Sequence, residues 1–464
     1  MPVNITLSDI VYYLTLGLCI SLGGHYKKIT DSEMKRNYGA GLGILVTSLI
    51  CGFQVYHSVF IVWGNIIIMK CCDKRYIHHV SLAYTLTYLT YICTNRNRDE
   101  TCYDYWIYQI IALRVVGLAF EIHLTTKFDA LIKTGGKVGS DLEELPNNPT
   151  AVEIIAYAYY FIGIHKGPYY RWKVFQDHFN TPFGVIGDFN VITLQKLKRV
   201  VVCSIVYILM RSHYPIKMYY SEEFYKVYHT DDRYLYNIPQ LVMYCLKYHI
   251  IMMLCSCVCT EAGFGIYPAQ CVPLPGLGPS TKKALLKVTK DTKSIYDQEY
   301  NIGMLKSFTV DKLLFGPRMR DTLKGWDMSK RYWFWSYPYR SSIRAKKIVR
   351  GAFAFCVWAV HCGVKIQSMI VMCTLWVHIN LEDEFMQMFD TTGSMSTSWD
   401  IGFSIMRMLC LIYLTPCFVV TEQMAILKYY NSIYWVFHVI MLGLLVTAVG
   451  IQKNRVPDVV VSTT

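Results

Sequence analysis

Long apolar runs, each interrupted by a short polar or basic stretch, recur along nearly the whole chain. A transmembrane helix needs about 20 mainly apolar residues. Runs of that character cover 10–22, 38–69, 77–93, 105–122, 152–164, 200–216, 238–258, 349–377, 401–420 and 433–451. The run at 38–69 is long enough for two passes, with a break expected near Gly52. The pattern predicts an all-α, polytopic integral membrane protein of about ten or eleven spans. One domain over residues 1–464 accommodates them, since each span packs on its neighbours.

Several spans carry polar groups, among them Arg114, Glu121, His249 and His361. Lipid offers such groups no partner, so they are expected to face a bundle interior or a cavity. Between the spans, 127–150 reads as a loop, with Gly135-Gly136 and Pro146, and 270–297 is rich in Pro, Gly and Lys. From Arg318 to Lys347 there are nine Lys or Arg against Asp321 and Asp327, interleaved with Tyr332, Trp333, Phe334, Trp335, Tyr337 and Tyr339. That mixture predicts a segment lying in the membrane interface. No internal repeat is visible, which disfavours a transporter built from inverted repeats.

Composition agrees with the membrane reading. Hydrophobic residues make up 53% and charged residues 17%, whereas soluble domains carry roughly 25% charged residues. The net charge of +13 lies in loops between apolar runs. Its expected partner is therefore the anionic lipid bilayer and not nucleic acid. The 17 cysteines are scattered and mostly within apolar runs, so no disulfide framework or zinc site is expected. The N-terminus lacks the basic region of a cleaved signal peptide, and Asn4-Ile5-Thr6 matches a glycosylation sequon.

Three segments carry candidate chemistry. His361 lies in an apolar run with Lys365 four residues on. It reads either as a satisfied core histidine or as a general base in a dry cavity, where a helical Lys365 would favour the neutral ring. Asp327 follows Gly325-Trp326, and reads either as an interfacial carboxylate neutralised by Lys324, Lys330 or Arg331, or as part of a site. The Tyr-rich stretch from Ala156 ends in His165-Lys166-Gly167-Pro168-Tyr169-Tyr170-Arg171. A Gly-Pro break beside Arg171 and Lys173 suits a phosphate at headgroup level, and equally an ordinary helix end with snorkelling cations.

Taken in order, these segments resemble the membrane-bound O-acyltransferase family, in its lysophosphatidylinositol-acylating branch. The resemblance includes Gly167-Pro168-Tyr169-Tyr170-Arg171, Ala262-Gly263-Phe264-Gly265-Ile266-Tyr267-Pro268, Tyr296-Asp297, Asn301-Ile302, Arg318-Met319-Arg320-Asp321, Trp326-Asp327-Met328-Ser329 and Leu427-Lys428-Tyr429-Tyr430-Asn431-Ser432-Ile433-Tyr434. It implies a multi-pass endoplasmic-reticulum enzyme with a helical bundle around a buried reaction chamber. Acyl-CoA is then the co-substrate, with no cofactor or metal, and a lysophospholipid the acceptor. The resemblance makes His361 the base and Asp327 the second catalytic residue. Lys166, Tyr170 and Arg171 are expected at the acceptor, and Arg318, Arg320, Lys330 and Arg331 at the CoA phosphates.

This chain departs from the family pattern in two places. The family's usual Asn is Asp327 here, which either orients His361 or is held protonated by burial. The glycine and proline that follow the family's histidine are replaced in Val360-His361-Cys362-Gly363-Val364-Lys365. Protein O-acylation and a catalytically silent, lipid- or partner-binding relative are the alternative functions.

Overall fold

A computed structural model describes residues 6–95, 103–133, 149–290 except 182, 187 and 188, 298–389 except 343, 393, and 395–454. Asn4 of the sequon, the Gly135-Gly136 and Pro146 loop, and Tyr296-Asp297 lie outside the described residues. Helices dominate the described residues, and the strands are four two-residue pieces paired as two small antiparallel ribbons. Each predicted run contains a helix. The chief ones are Leu7–Lys27, Ser32–Cys51, Val55–Cys71, Ile77–Thr94, Tyr103–Lys133, Asn190–His213, Asn237–Glu261, Lys347–Cys362, Ile366–Met388, Ser396–Val419 and Val436–Asn454.

Among the described residues, five helical stretches are long and apolar enough to cross a bilayer, counting Ser32–Cys71 once, or six if the bent pair Gln423–Ser432 and Val436–Ala448 forms one span. This multi-pass reading has fewer spans than the ten or eleven runs. Ile77–Thr94 is diluted by two His and several Thr and Tyr, Lys347–Cys362 has only 16 residues, and Ile366–Met388 ends in Glu382, Asp383 and Glu384. The break expected near Gly52 is present as a 3-10 turn at Gly52–Gln54, with Gly52 at φ +53°.

The Tyr103–Lys133 helix is the axis of the fold. Residues Ile107, Ile110, Ile111, Val115, Leu118 and Ala119 are fully buried, as are Arg114, Leu113 and Val116 on the other faces, so the helix touches protein on every side. A second apolar cluster joins the C-terminal helices around Tyr413, Leu414, Ile426 and Tyr430.

The run at 152–164 is helical only over Ala151–Tyr159. Residues 160–171 then form a fully buried, non-helical segment. Two features make that affordable in a dry interior. Phe161 donates its backbone N–H to the Gly39 carbonyl at 3.2 Å, and a side chain at Gly43 would meet the Tyr159 carbonyl oxygen at 1.6 Å, so only glycine admits the approach. Arg114, fully buried, donates through one guanidinium nitrogen to the carbonyls of Tyr157 (3.2 Å), Ala158 (3.1 Å) and Tyr160 (2.9 Å), and through the other to Ile162. These are the carbonyls that a helix end leaves without partners. The charge in the middle of a predicted span is therefore the cap of another helix, with Tyr170 stacked 4.8 Å from it.

Candidate active site

His361 closes the Lys347–Cys362 helix. Gly363, at φ +111°, ends it at once, because L side chains rarely adopt that conformation. Lys365 consequently begins the next helix as its cap instead of lying one turn above His361, and the expected i, i+4 relation is absent. What holds the histidine is Gln109 on the axial helix. The His361 Nε2–H donates to the Gln109 carbonyl at 3.2 Å, while the Gln109 side-chain amide donates to the His361 carbonyl at 2.8 Å. Tyr105 donates to the same carbonyl at 3.3 Å. A carbonyl can only accept, so Nε2 carries a proton and, in the neutral ring, Nδ1 is the basic nitrogen. Nδ1 is buried with no hydrogen-bond partner among the described residues. His361 also lines a small apolar pocket with Leu82, Leu86, Leu89, Leu113, Val116 and Trp333.

Asp327 stands at the start of the Met328–Phe334 helix in a left-handed conformation, φ +38° and ψ +62°. An Asp in that position ordinarily caps the helix with its side chain. Here it makes no capping bond. Its carboxylate turns inward, where Lys330 Nζ lies 3.0 Å away, Tyr248 donates its hydroxyl, and Ser329 Oγ donates at 3.4 Å. Lys330 also donates to the Tyr248 oxygen at 3.2 Å. Trp326 fixes the approach from the other side, packed at 5.0 Å from Tyr248 and 4.9 Å from Phe308. A residue in strained backbone geometry, aimed into the interior and not at its own helix, is a reason to suspect function.

Lys166 reaches the same place from the buried 160–171 segment. Its ammonium lies 3.1 Å from the centre of the Trp106 ring and 4.5 Å from that of Tyr248. Burial pushes it well below the usual lysine range; neighbouring Lys330 pushes the same way and Asp327 pulls it back. His361 is joined to Asp327 by no hydrogen bond among the described residues, although Lys330 and Asp327 both act on it electrostatically. Asp327 therefore does not orient the histidine directly. Its partners are Tyr248 and Lys330.

The remaining candidates separate. Tyr170 donates to the Ile162 carbonyl at 3.0 Å and packs on Phe264, so it belongs to the Arg114 cap. Arg171 precedes the Trp172–Asn180 helix, where its charge acts on Tyr267 and Tyr337. The expected anion cradle at Gly167-Pro168 is already filled by protein. Gly167 N–H goes to the Gly163 carbonyl at 3.0 Å, Tyr169 N–H to Ser329 Oγ at 3.1 Å, and Trp172 N–H to Glu121 at 3.2 Å. Arg320 pairs with Asp383, which also takes Lys347 at 2.9 Å. Arg318 stands at the start of the Met319–Gly325 helix without a side-chain capping bond, and burial lowers Arg331 from the usual arginine range. The basic, aromatic segment is only partly interfacial, because Trp333, Phe334 and Tyr337 are buried against the axial helix and its neighbours.

Sequence reasoning missed Trp106, Gln109 and Tyr248. A single amide within an apolar run was the available signal for Gln109. Trp106 and Tyr248 resembled ordinary interfacial aromatics.

No family model matches the chain. Three curated proteins match it almost end to end. Each is described as a membrane-bound acylglycerophosphatidylinositol O-acyltransferase. That of Drosophila melanogaster is 25% identical over 460 residues, covering 94% of this chain and 90% of the relative. Those of Homo sapiens (24%, 94% of this chain, 92% of the relative) and Xenopus laevis (23%, 93% and 92%) agree with it. The chain is a relative of the membrane-bound O-acyltransferases. Its kinship with these O-acyltransferases runs through the axial helix, the buried 160–171 segment and the helices that carry Asp327 and His361, since more than nine-tenths of the chain is covered. The relatives' length also leaves the candidate site within one continuous homologous unit and not at the edge of a shared module.

Proposed function

We propose that this protein transfers a fatty acyl group from acyl-CoA to the free hydroxyl of a lysophospholipid, lysophosphatidylinositol in the first instance, in the endoplasmic-reticulum membrane. The observation that carries the reading is the unpartnered Nδ1 of His361, held in a fixed tautomer beside an apolar pocket, in a chain related end to end to acylglycerophosphatidylinositol O-acyltransferases.

Acyl transfer to a hydroxyl requires one proton removed, negative charge stabilised on the thioester carbonyl oxygen, and water excluded. His361 Nδ1 takes the proton of the acceptor hydroxyl as its oxygen attacks the thioester carbon. The C–S bond then breaks, and the proton passes from the imidazolium to the departing CoA thiolate. Leucine and valine side chains around the ring keep water away. Asp327 lacks a proton donor in its ionised form and takes the Tyr248 hydroxyl proton, so its contribution is to hold Lys330, whose ammonium keeps protons to donate.

The test uses purified protein with a labelled polyunsaturated acyl-CoA and a panel of lysophospholipids, beside His361→Ala. Transfer to lysophosphatidylinositol that falls on the order of 10²–10⁴-fold in the variant supports the reading. Absence of transfer to any acceptor, or equal rates in the two proteins, defeats it.

A further inference from the structure

We propose that the vicinal pair Cys71 and Cys72 is a modification site, S-acylated by a long-chain fatty acyl thioester on the cytosolic face of the membrane. The proposal does not rest on the acyltransferase reading, since neither thiol belongs to the chamber around His361.

The lipid-facing side of one helix leads to the pair. Cys71 is the last residue of the Val55–Cys71 helix and Cys72 its cap; both are free thiols, Cys71 exposed and Cys72 half-buried. The same helix turns Tyr56, Phe60, Trp63 and Ile67 outward, each half exposed or more. Steps of three and four residues keep side chains on one face of an α-helix, and Cys71 is the next member of that line. The stretch is apolar and long enough to cross a bilayer, so this outward face looks into lipid. An acyl chain on the Cys71 sulfur therefore lies along Ile67, Trp63 and Phe60.

The helix end has the character of a membrane border. Lys70 precedes the pair, and Lys74, Arg75 and exposed Tyr76 follow it, the cations and aromatic ring that collect at headgroup level. Two bonds fix the turn there. Asp73 accepts the Arg75 N–H at 2.9 Å, and His123 on the axial helix donates its Nδ1–H to the Lys74 carbonyl at 2.9 Å. Cys356 and Cys373 are exposed as well, but they lie inside their helices, away from any such border.

Distant contacts decide which border it is. Lys70 donates to the Pro149 carbonyl at 2.9 Å, and Glu153, one turn further on, pairs with Arg36 at 3.5 Å. The chain thus turns back at Gly52 and returns to the face where the Ser32–Cys51 helix began. Lys27, Lys28, Arg36, Lys70, Lys74 and Arg75 gather on that face. At the other end of the Leu7–Lys27 helix, Asp9 meets Tyr103 at 2.5 Å instead. An excess of Lys and Arg in short loops marks the cytosolic side, where thiols stay reduced. Acyl-CoA supplies the chain, and cysteines beside a membrane span are where reversible S-acylation falls. The cysteine sulfur attacks the thioester carbonyl carbon, and the bond from that carbon to the CoA sulfur breaks. The cysteine proton ends on the CoA thiol. One thioester replaces another, with nothing oxidised or reduced.

The test uses the full chain expressed in eukaryotic cells and kept in its membranes. Free thiols are blocked with N-ethylmaleimide, thioesters are cleaved with neutral hydroxylamine, and the released thiols are tagged with a polyethylene-glycol maleimide. The wild type should show a hydroxylamine-dependent gel shift that Cys71→Ser/Cys72→Ser loses. Peptide mass spectrometry of the wild type should place the fatty acyl group on the Cys71-Cys72 dipeptide, and this map needs no variant to fold. A wild type with no hydroxylamine-dependent shift overturns the proposal. So does a shift that the double variant keeps in full, with the acyl group mapped to other cysteines. Neither readout uses acyl transfer to a lipid, so this proposal and the acyltransferase reading fail separately.

Discussion

Gln109 and His361 hold each other twice, the Gln109 carbonyl receiving the His361 Nε2–H at 3.2 Å and the Gln109 amide reaching the His361 carbonyl at 2.8 Å. One bond fixes the tautomer of the ring, and the other fixes the backbone from which the ring hangs. Gln109 touches no reacting atom in this scheme; it is a positioning residue.

Gln109→Leu removes the side-chain half of that clamp and leaves the carbonyl half. The expected result is a fall in kcat of about fivefold, the equivalent of one net hydrogen bond of ~1 kcal/mol, with KM little changed. Steady-state kinetics decides it. A variant that raises KM alone would place Gln109 at the substrate.

Asp327 and Lys330 should show strong energetic coupling. Asp327→Ala strands a buried ammonium and should cost about 3–5 kcal/mol of stability. Adding Lys330→Met removes the stranded charge, so the double variant should be more stable than Asp327→Ala alone. Thermal unfolding of the helical signal in detergent measures both. A double variant less stable than the single one would mean that the pair is not an isolated unit.

Arg114→Leu uncovers the carbonyls at the end of the Ala151–Tyr159 helix. Unsatisfied buried acceptors cost about 1–3 kcal/mol each, so the variant should fail to accumulate as folded protein. Arg114→Lys should rescue little, because an ammonium lacks the planar fork that serves several carbonyls together. Yield of monodisperse protein on size exclusion reports the outcome.

Much of the fold was legible along the chain, and for a clear reason. Lipid imposes a local rule, since each spanning residue must be apolar and each backbone bond satisfied within its own helix. The runs around Leu16, Val62, Val115, Met252 and Leu414 therefore declare helices without reference to anything distant. The break at Gly52 is equally local. The spans were harder to count, because apolarity diluted by His, Thr and Tyr in Ile77–Thr94 reads alike in lipid and in a protein core.

The candidate site was legible only in its membership. His361 stands out as a polar group in an apolar run, whereas Asp327, Lys166 and Lys330 sit in polar or basic segments and were singled out by a resemblance. Their relations are contacts between residues far apart in sequence, such as Gln109 with His361, Tyr248 with Asp327 and Trp106 with Lys166. Spacing alone suggested Lys365 above His361, and Gly363 undoes that with one positive φ. The resemblance placed Arg320 at the CoA phosphates, whereas folding pairs it with Asp383.

By itself, then, the sequence determined that this protein is a bundle of apolar helices with a few buried charges, because hydrophobicity and helix geometry act over one or two turns. Tertiary structure decided which charge meets which partner. Arg114 became a helix cap and Lys166 a buried amine between two rings because a polar group's partners depend on what packing brings within a few ångströms, and no local pattern encodes that.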